Sequence, residues 1–240
     1  MKSFVLTKSF VAAGVLLLSS TQVFASPISL DFNRVTSNSS QNVASQLSVE
    51  VFNQADAFSI LNQSIGANDV LFTFKNAVGI ASNIAEIYFD DSNFLLSQYA
   101  PFLQLGGTTD FGTTLNPNNL PAGNSLVTPF VATSGFGADV NPGNPSKGIN
   151  ASNDLLGIRI ALQTGVSFLD LAHGLQDEAL RIGLHVRSIG TDGESDSFVS
   201  DGDTAGGGGL GSPVPLPAAA WMFLTGLVGF LGLQRRRAAV

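Results

Sequence analysis

Apolar side chains recur at every second position through six stretches of the chain. In LRIGLHVRSI, Leu180, Ile182, Leu184 and Val186 alternate with Arg181, Gly183, His185 and Arg187. In LLGIRIAL, Leu156, Ile158, Ile160 and Leu162 alternate with Gly157, Arg159 and Ala161. VLFTFK sets Val70, Phe72 and Phe74 against Leu71, Thr73 and Lys75. IAEIYFDD sets Ala85, Ile87 and Phe89 against Glu86, Tyr88 and Asp90. QLSVEVF contributes Leu47, Val49 and Val51, and PISLDF contributes Ile28, Leu30 and Phe32. Successive side chains of a strand point to opposite faces, so a period of two marks a strand with one buried face and one wet face. Six such strands predict antiparallel sheets packed face to face.

Two regions break the pattern. Ser167 precedes FLDLAHGL, with Asp170 at the third helical position. This resembles a capping box and predicts one short helix, stopped early by Gly174. Residues 101–153 are rich in Gly, Pro and Asn and read as surface loops carrying short strands, 126–133 among them. The expected fold is mainly β. It is a single antiparallel β-sandwich, jelly-roll or immunoglobulin-like, over residues 26–200 with one short helix.

The two ends have a different texture. The start, MKSFVLTKSFVAAGVLLLSSTQVFA, places Lys2 and Lys8 before an apolar run, then a polar stretch. Val23 and Ala25 occupy the −3 and −1 positions of a small-residue cleavage site. This is the three-part pattern of a secretory signal peptide over residues 1–25, read by signal peptidase. The end begins with VPLP at 214–217 and continues with an uncharged run at 218–233. As a helix that run spans about 24 Å, slightly short of a ~30 Å hydrocarbon core, and Pro217 with snorkelling arginines closes the gap. Arg235, Arg236 and Arg237 place the far end on the cytoplasmic side and the body outside that membrane. Residues 201–213, acidic and then Gly-rich, read as a linker.

VPLP, a short apolar helix and a terminal Arg cluster resemble the PEP-CTERM sorting signal of Gram-negative bacteria in its VPLPA variant, with Leu216 in place of the usual Glu. The likeness is carried by Pro215, Leu216, Pro217 and Arg235 to Arg237, as substrate features. The resemblance implies recognition by a membrane exosortase and removal of the tail. It also implies passage from a transient inner-membrane anchor to the cell surface or exopolysaccharide matrix. The body is similar to one that recurs in such proteins, through LFTFKN to IYFDD, TPFVATSGFGADVN and LRIGLHVRSIG to SDSFV. That likeness implies a β-sandwich without a known activity.

Charge narrows the function classes. All 18 acidic residues fall between Asp31 and Asp203, where only six basic residues accompany them, so the body carries a net charge of −12. Such a body repels phosphates and has no basic stripe, which argues against nucleic acid as a partner. The chain has no cysteine, which removes disulfides and thiolate chemistry. G-x-S-x-G, H-E-x-x-H and P-loop motifs are absent, no cofactor motif is present, and no enzyme is expected. His173 falls on the predicted helix. His185 falls on the wet face of its strand between Arg181 and Arg187, which disfavour a protonated imidazole. Asp90 and Asp91 are adjacent on a strand and point to opposite faces, a poor acid–base pair.

Calcium asks for six to eight oxygens. Its candidates are Asp90 and Asp91 with Asn93, and Asp139 with Asn141, beside the acidic run Asp192, Glu194, Asp196, Asp201 and Asp203. Tyr88, on the outward face, is the candidate for stacking on a sugar ring. The expected function is a structural or adhesive β module of the surface or matrix. The alternative is a calcium- or glycan-binding module.

Overall fold

The computed structural model describes residues 27–114 and 116–202. The expected signal peptide, the linker beyond 202 and the sorting signal lie outside the described residues. Among the described residues no helix is long and apolar enough to cross a membrane.

Twelve strands are described. The first six are β1 (Ile28–Leu30), β2 (Phe32–Arg34), β3 (Leu47–Phe52), β4 (Asp69–Asn76), β5 (Asn83–Asp91) and β6 (Leu96–Gly106). The others are β7 (Phe111–Thr113), β8 (Gly137–Val140), β9 (Ile149–Asn150), β10 (Leu155–Leu162), β11 (Leu180–Ile189) and β12 (Glu194–Ser200). One antiparallel sheet has the order β1-β3-β4-β10-β6. The other has β2-β12-β11-β5-β8-β7, with β9 also pairing β5. All six stretches that alternate in sequence are strands, in a mainly β, sandwich-like fold. PISLDF is divided: β1 pairs with β3 in the first sheet and β2 with β12 in the second. The chain changes sheet at Asp31 without interrupting its apolar alternation, because both strands face the same core.

That core lies between the sheets. Val49, Val51, Phe72, Phe74, Ile158 and Ile160 come from one side, and Ile87, Phe89, Ile182, Leu184 and Phe198 from the other. Phe89 presents edges to Phe72 at 5.3 Å, Phe74 at 6.3 Å and Tyr99 at 6.2 Å between ring centroids. Edge-to-face contacts of this kind add to the stabilisation from burial alone.

Among the described residues there are two α-helices, not one. α1 (Gln54–Leu61) is capped by Asn53, whose side chain accepts from the Asp56 N–H at 2.9 Å. It covers the outer face of the first sheet, where Phe52, Ala57, Ile65 and Leu71 form a separate buried cluster. Leu71 is therefore buried instead of wet. α2 (Phe168–Gln176) has the expected box: the Asp170 N–H donates to Ser167 Oγ at 3.2 Å and the Ser167 N–H to Asp170 Oδ2 at 2.8 Å. Gly174 does not stop it. A Cβ there would lie 2.3 Å from Leu95 Cδ1, so the glycine serves a close approach of the helix to the β5–β6 turn.

Residues 126–133 are not a strand. They belong to a loop that lies over the outer face of the second sheet, where Tyr88, Leu120 and Phe130 form a third buried cluster with Val35, Leu126 and Val199 against it. At β6 the edge of the first sheet carries Pro101, which lacks an N–H and fits only where no further strand must pair. The β10–β6 register shifts between Ile158 and Ile160 at the same place, which blunts that edge further.

The strand registers define two ends. The C-terminal ends of β3, β5, β10 and β12 meet the N-terminal ends of β1, β2, β4, β6 and β11. α1 follows β3, and α2 joins β10 to β11, so both helices sit at this end. The opposite end carries the β4–β5 and β11–β12 turns.

Candidate functional site

The outer face of the second sheet holds the densest polar group. Across neighbouring strands, Ser197 of β12 stands opposite His185 of β11, His185 opposite Glu86 of β5, and Glu86 opposite Asp139 of β8. Cross-strand neighbours share a face, so backbone register alone assembles this row. Glu86 accepts from the Arg187 guanidinium through Oε1 and from the Tyr88 hydroxyl through Oε2. His185 Nδ1 lies 3.2 Å from Glu86 Oε2 without hydrogen-bond geometry. Burial, then the Asp139 carboxylate, pushes the Tyr88 phenol up to about 12, so it is a neutral donor at physiological pH. Burial also raises the Asp139 carboxyl. A cleft of about 90 Å³ opens beside the row, lined by Glu86, Tyr88, Asn116, Asn118 and Asp139 among others. With Arg187 and Tyr88 already on Glu86, the group ties β5 to β11.

This geometry corrects three expectations. Tyr88 is 5% exposed, beneath Leu120 and Phe130, so it is no stacking platform for a sugar. His185 is not on a wet face; its side chain is 14% exposed. Arg181 is buried and does not flank His185 in solvent. Tyr88 and Arg181 share one cause, since the loop over the sheet closes a face that alternation had marked as open. Gly183 sits under it, where a Cβ would come within 3.0 Å of Phe130 Cζ and 3.1 Å of Leu120 Cδ1.

The calcium candidates are not brought together. Asp90 pairs with the Arg181 guanidinium and accepts from the Val131 N–H at 3.1 Å. Asp91 turns to the other side and accepts from the N–H groups of Leu95 at 2.9 Å and Leu96 at 2.8 Å, closing the β5–β6 turn. Asp139 lies across the sheet beside Glu86, and Asn141 donates to Asp110 at 2.5 Å. In the acidic run, Asp192 accepts from the Ser40 N–H at 3.0 Å, Asp196 is buried against Arg34, and Asp201 accepts from Asn33 at 2.9 Å. Asp203 lies outside the described residues. Among the described residues no group of three or more His, Cys, Asp or Glu side chains is placed to hold a metal. His173 is exposed on α2.

Sequence reasoning missed a depression of about 500 Å³ at the end opposite the helices, lined by Asn83, Ser146, Asn150 and Ser188 with Ala81 and Pro145. Its residues come from separate loops, which no local pattern links.

His185 makes a pH prediction. Burial pushes the imidazole below its ordinary range, against the pull of Asp139 and then Asp196. The unfolded chain therefore takes up a proton at pH values where the folded chain does not. The stability this contributes is present above about pH 6.5 and is lost as pH falls from there through the folded value, with a slope of at most ~1.4 kcal/mol per pH unit. Urea titrations between pH 7 and 5 should show this decline, and His185→Gln should flatten it. A decline of equal slope in the variant would assign it elsewhere.

Compared with known proteins, the chain matches no family model, no curated protein and no solved structure.

Proposed function

We propose that the protein is exported and held for a time in the inner membrane by its C-terminal segment, with the β body in the periplasm. An exosortase then processes it, and it is released to the cell surface or exopolysaccharide matrix as a non-catalytic structural or adhesive module. The observation that carries this reading is the pair of address segments, a signal-peptide pattern ending at Ala25 and VPLP, an apolar run and Arg235 to Arg237 at the far end.

The fold supports it in two ways. First, the segment before residue 27 enters at β1, whose Ile28 pairs with Val51 at the end of β3, and the segment after 202 leaves beyond β12 against the last turn of α2, so both attach at the helix-bearing end. Both can be removed without taking a strand from the core. Second, the buried and half-buried carboxylates of Glu86, Asp90, Asp91, Asp154 and Asp196 accept from the protein's own donors. Spent in this way, they serve the architecture.

Mass spectrometry of the mature protein from cells with and without an exosortase tests the reading. A product beginning at Ser26 and lacking Arg235 to Arg237 is expected in the first strain, with the arginines retained in the second. Retention in both would overturn processing.

A further inference from the structure

Folding alone does not explain the side chains at the helix-bearing end of the sandwich. Seven large apolar residues are conspicuously exposed among the described residues: Phe58, Ile60, Val78, Phe94, Val127, Val131 and Leu169. All but Val78 belong to elements near one end, Phe58 and Ile60 over the outer face of the first sheet and Val127 and Val131 over that of the second. Phe58 and Ile60 are on α1, and Leu169 is on α2. Phe94 is in the β5–β6 turn. Val127 and Val131 flank the loop segment that Arg181 and Asp90 hold beside the start of β11 and the end of β5. Val78 is in the β4–β5 turn at the opposite end.

Phe94 is the most telling of the six. It is 72% exposed and has φ +52°. A bulky side chain in the left-handed region is a strained choice where Gly or Asn would be relaxed. The turn holds it there through the two Asp91 carboxylate bonds to Leu95 and Leu96. The aromatic ring is thus displayed to solvent at a cost to the backbone.

The same end carries both chain exits. Ile28, the first residue of β1, pairs with Val51 at the end of β3. Gly202 lies against the last turn of α2, where a Cβ would come within 2.6 Å of the Gln176 carbonyl oxygen. From Gly202, residues 203–217 lead to the apolar run at 218–233. Even fully extended, a chain of that length reaches at most about 50 Å. It would hold this end near the membrane at an effective concentration in the millimolar range, so side chains with weak individual affinity would still be engaged much of the time.

We infer that the helix-bearing end is a membrane-docking surface, with Phe58, Ile60, Phe94, Val127, Val131 and Leu169 entering the headgroup region of the bilayer while the precursor is anchored. The inference rests on the anchoring proposed above. Apolar and aromatic tips are suited to that interface. Charge sets the lipid class: Asp31, Asp170, Asp177 and Glu178 are exposed at this end, so zwitterionic headgroups are favoured and anionic ones repel. Docking would turn the 500 Å³ depression at the opposite end away from the bilayer.

The absence of cysteine makes the test direct. Single cysteines at Phe58, Phe94, Val131 and, as the control, Val78 are labelled with a polarity-sensitive fluorophore in the full chain. The chain is reconstituted in phosphatidylcholine vesicles. Flotation with the vesicles reports anchoring. Blue-shifted emission and shielding from an aqueous quencher at positions 58, 94 and 131, but not at 78, is the expected result. Adding phosphatidylglycerol should reduce the shift. Phe94→Asn should keep or raise the melting temperature, because it relaxes the turn, yet weaken shielding at positions 58 and 131. A chain that floats with all four labels alike would overturn docking and leave anchoring intact. A chain that does not float would overturn both. A shift that grows with the number of chains per vesicle would mean that copies of the chain cover this end, and would also overturn docking.

Discussion

Replacing Arg181 with methionine is expected to destabilise the domain by about 3–5 kcal/mol and to lower its melting temperature by roughly 10 °C or more. The guanidinium side chain is 7% exposed and its partner Asp90 is 9% exposed. Besides Asp90, the guanidinium donates to the Thr128 carbonyl at 2.8 Å and the Pro129 carbonyl at 2.7 Å, and it stands 5.4 Å above the Phe130 ring. Its removal leaves a buried carboxylate unpaired and two loop carbonyls without donors. An uncompensated buried charge costs far more than the net contribution of the pair itself. Asp90→Leu combined with Arg181→Met should therefore recover much of the loss, because the pair is then replaced by apolar volume. The Val131 N–H keeps the recovery incomplete, since it loses its acceptor. Thermal and urea unfolding of the four variants in this cycle measure both terms. A single-variant loss under ~1 kcal/mol would mean that the loop holds its place without the clamp. Faster amide exchange at Phe130, whose N–H donates to the Gly123 carbonyl, should accompany the loss and localise it to the loop.

Arg181 also shows where the sequence pattern reached its limit. Alternation located β3, β4, β5, β10 and β11 and picked their inner faces, because the buried set of a strand with one core face is fixed by the period of two, except at the start of β5, where a register shift puts Ile84 in the core in place of the expected Ala85. It could not say what covers the other face. Arg181 and Tyr88 occupy positions that read as wet, and an outer loop closes over both. Gly183 was a faint signal, since glycine inside a strand often marks a close approach by another segment. β6 was hidden by Pro101, which argues against a central strand and is tolerated at an edge. β12 was hidden by its composition: ESDSFVS offers Phe198 and Val199 among polar residues, and Asp196 is buried by hydrogen bonding instead of apolar contact. α1 escaped notice because Phe58 and Ile60 point outward while Ala57 alone is fully buried, the reverse of an amphipathic signal. If Phe58 and Ile60 meet a membrane, that reversal is functional. The candidate site was less legible than the fold. The Glu86, His185 and Asp139 row exists through registers between strands far apart in sequence, and no local pattern encodes them.

Asp196→Ala is expected to be the second severe variant, at about 3–4 kcal/mol. The Asp196 side chain is fully buried and serves four donors at the end of β2 and in the segment after it. These are Arg34 Nη2 at 2.5 Å, Thr36 Oγ1 at 2.9 Å, the Asn38 N–H at 2.8 Å and the Ser39 N–H at 3.3 Å. Alanine leaves all four without their acceptor, in a place where Ser39 is itself buried. Each buried donor stranded in this way costs on the order of 1–3 kcal/mol, and local relaxation with water entry keeps the total below the sum. Asp196→Asn should be nearly as damaging: it keeps the volume and one acceptor oxygen but points an NH₂ at groups that are already donors. Asp192→Ala is the contrast. Asp192 accepts from the Ser40 N–H in the same loop at an exposed position, so its loss should leave the melting temperature nearly unchanged. The three variants thus separate burial from bonding. Because β2 and β12 form the edge at which the proposed tether attaches, the Asp196 variants should also open that edge. Limited proteolysis is expected to cut between residues 34 and 40 before it cuts the core strands. If Asp196→Ala is no worse than Asp192→Ala, the buried carboxylate does not hold the edge, and β2 must be secured by its ladder with β12 alone.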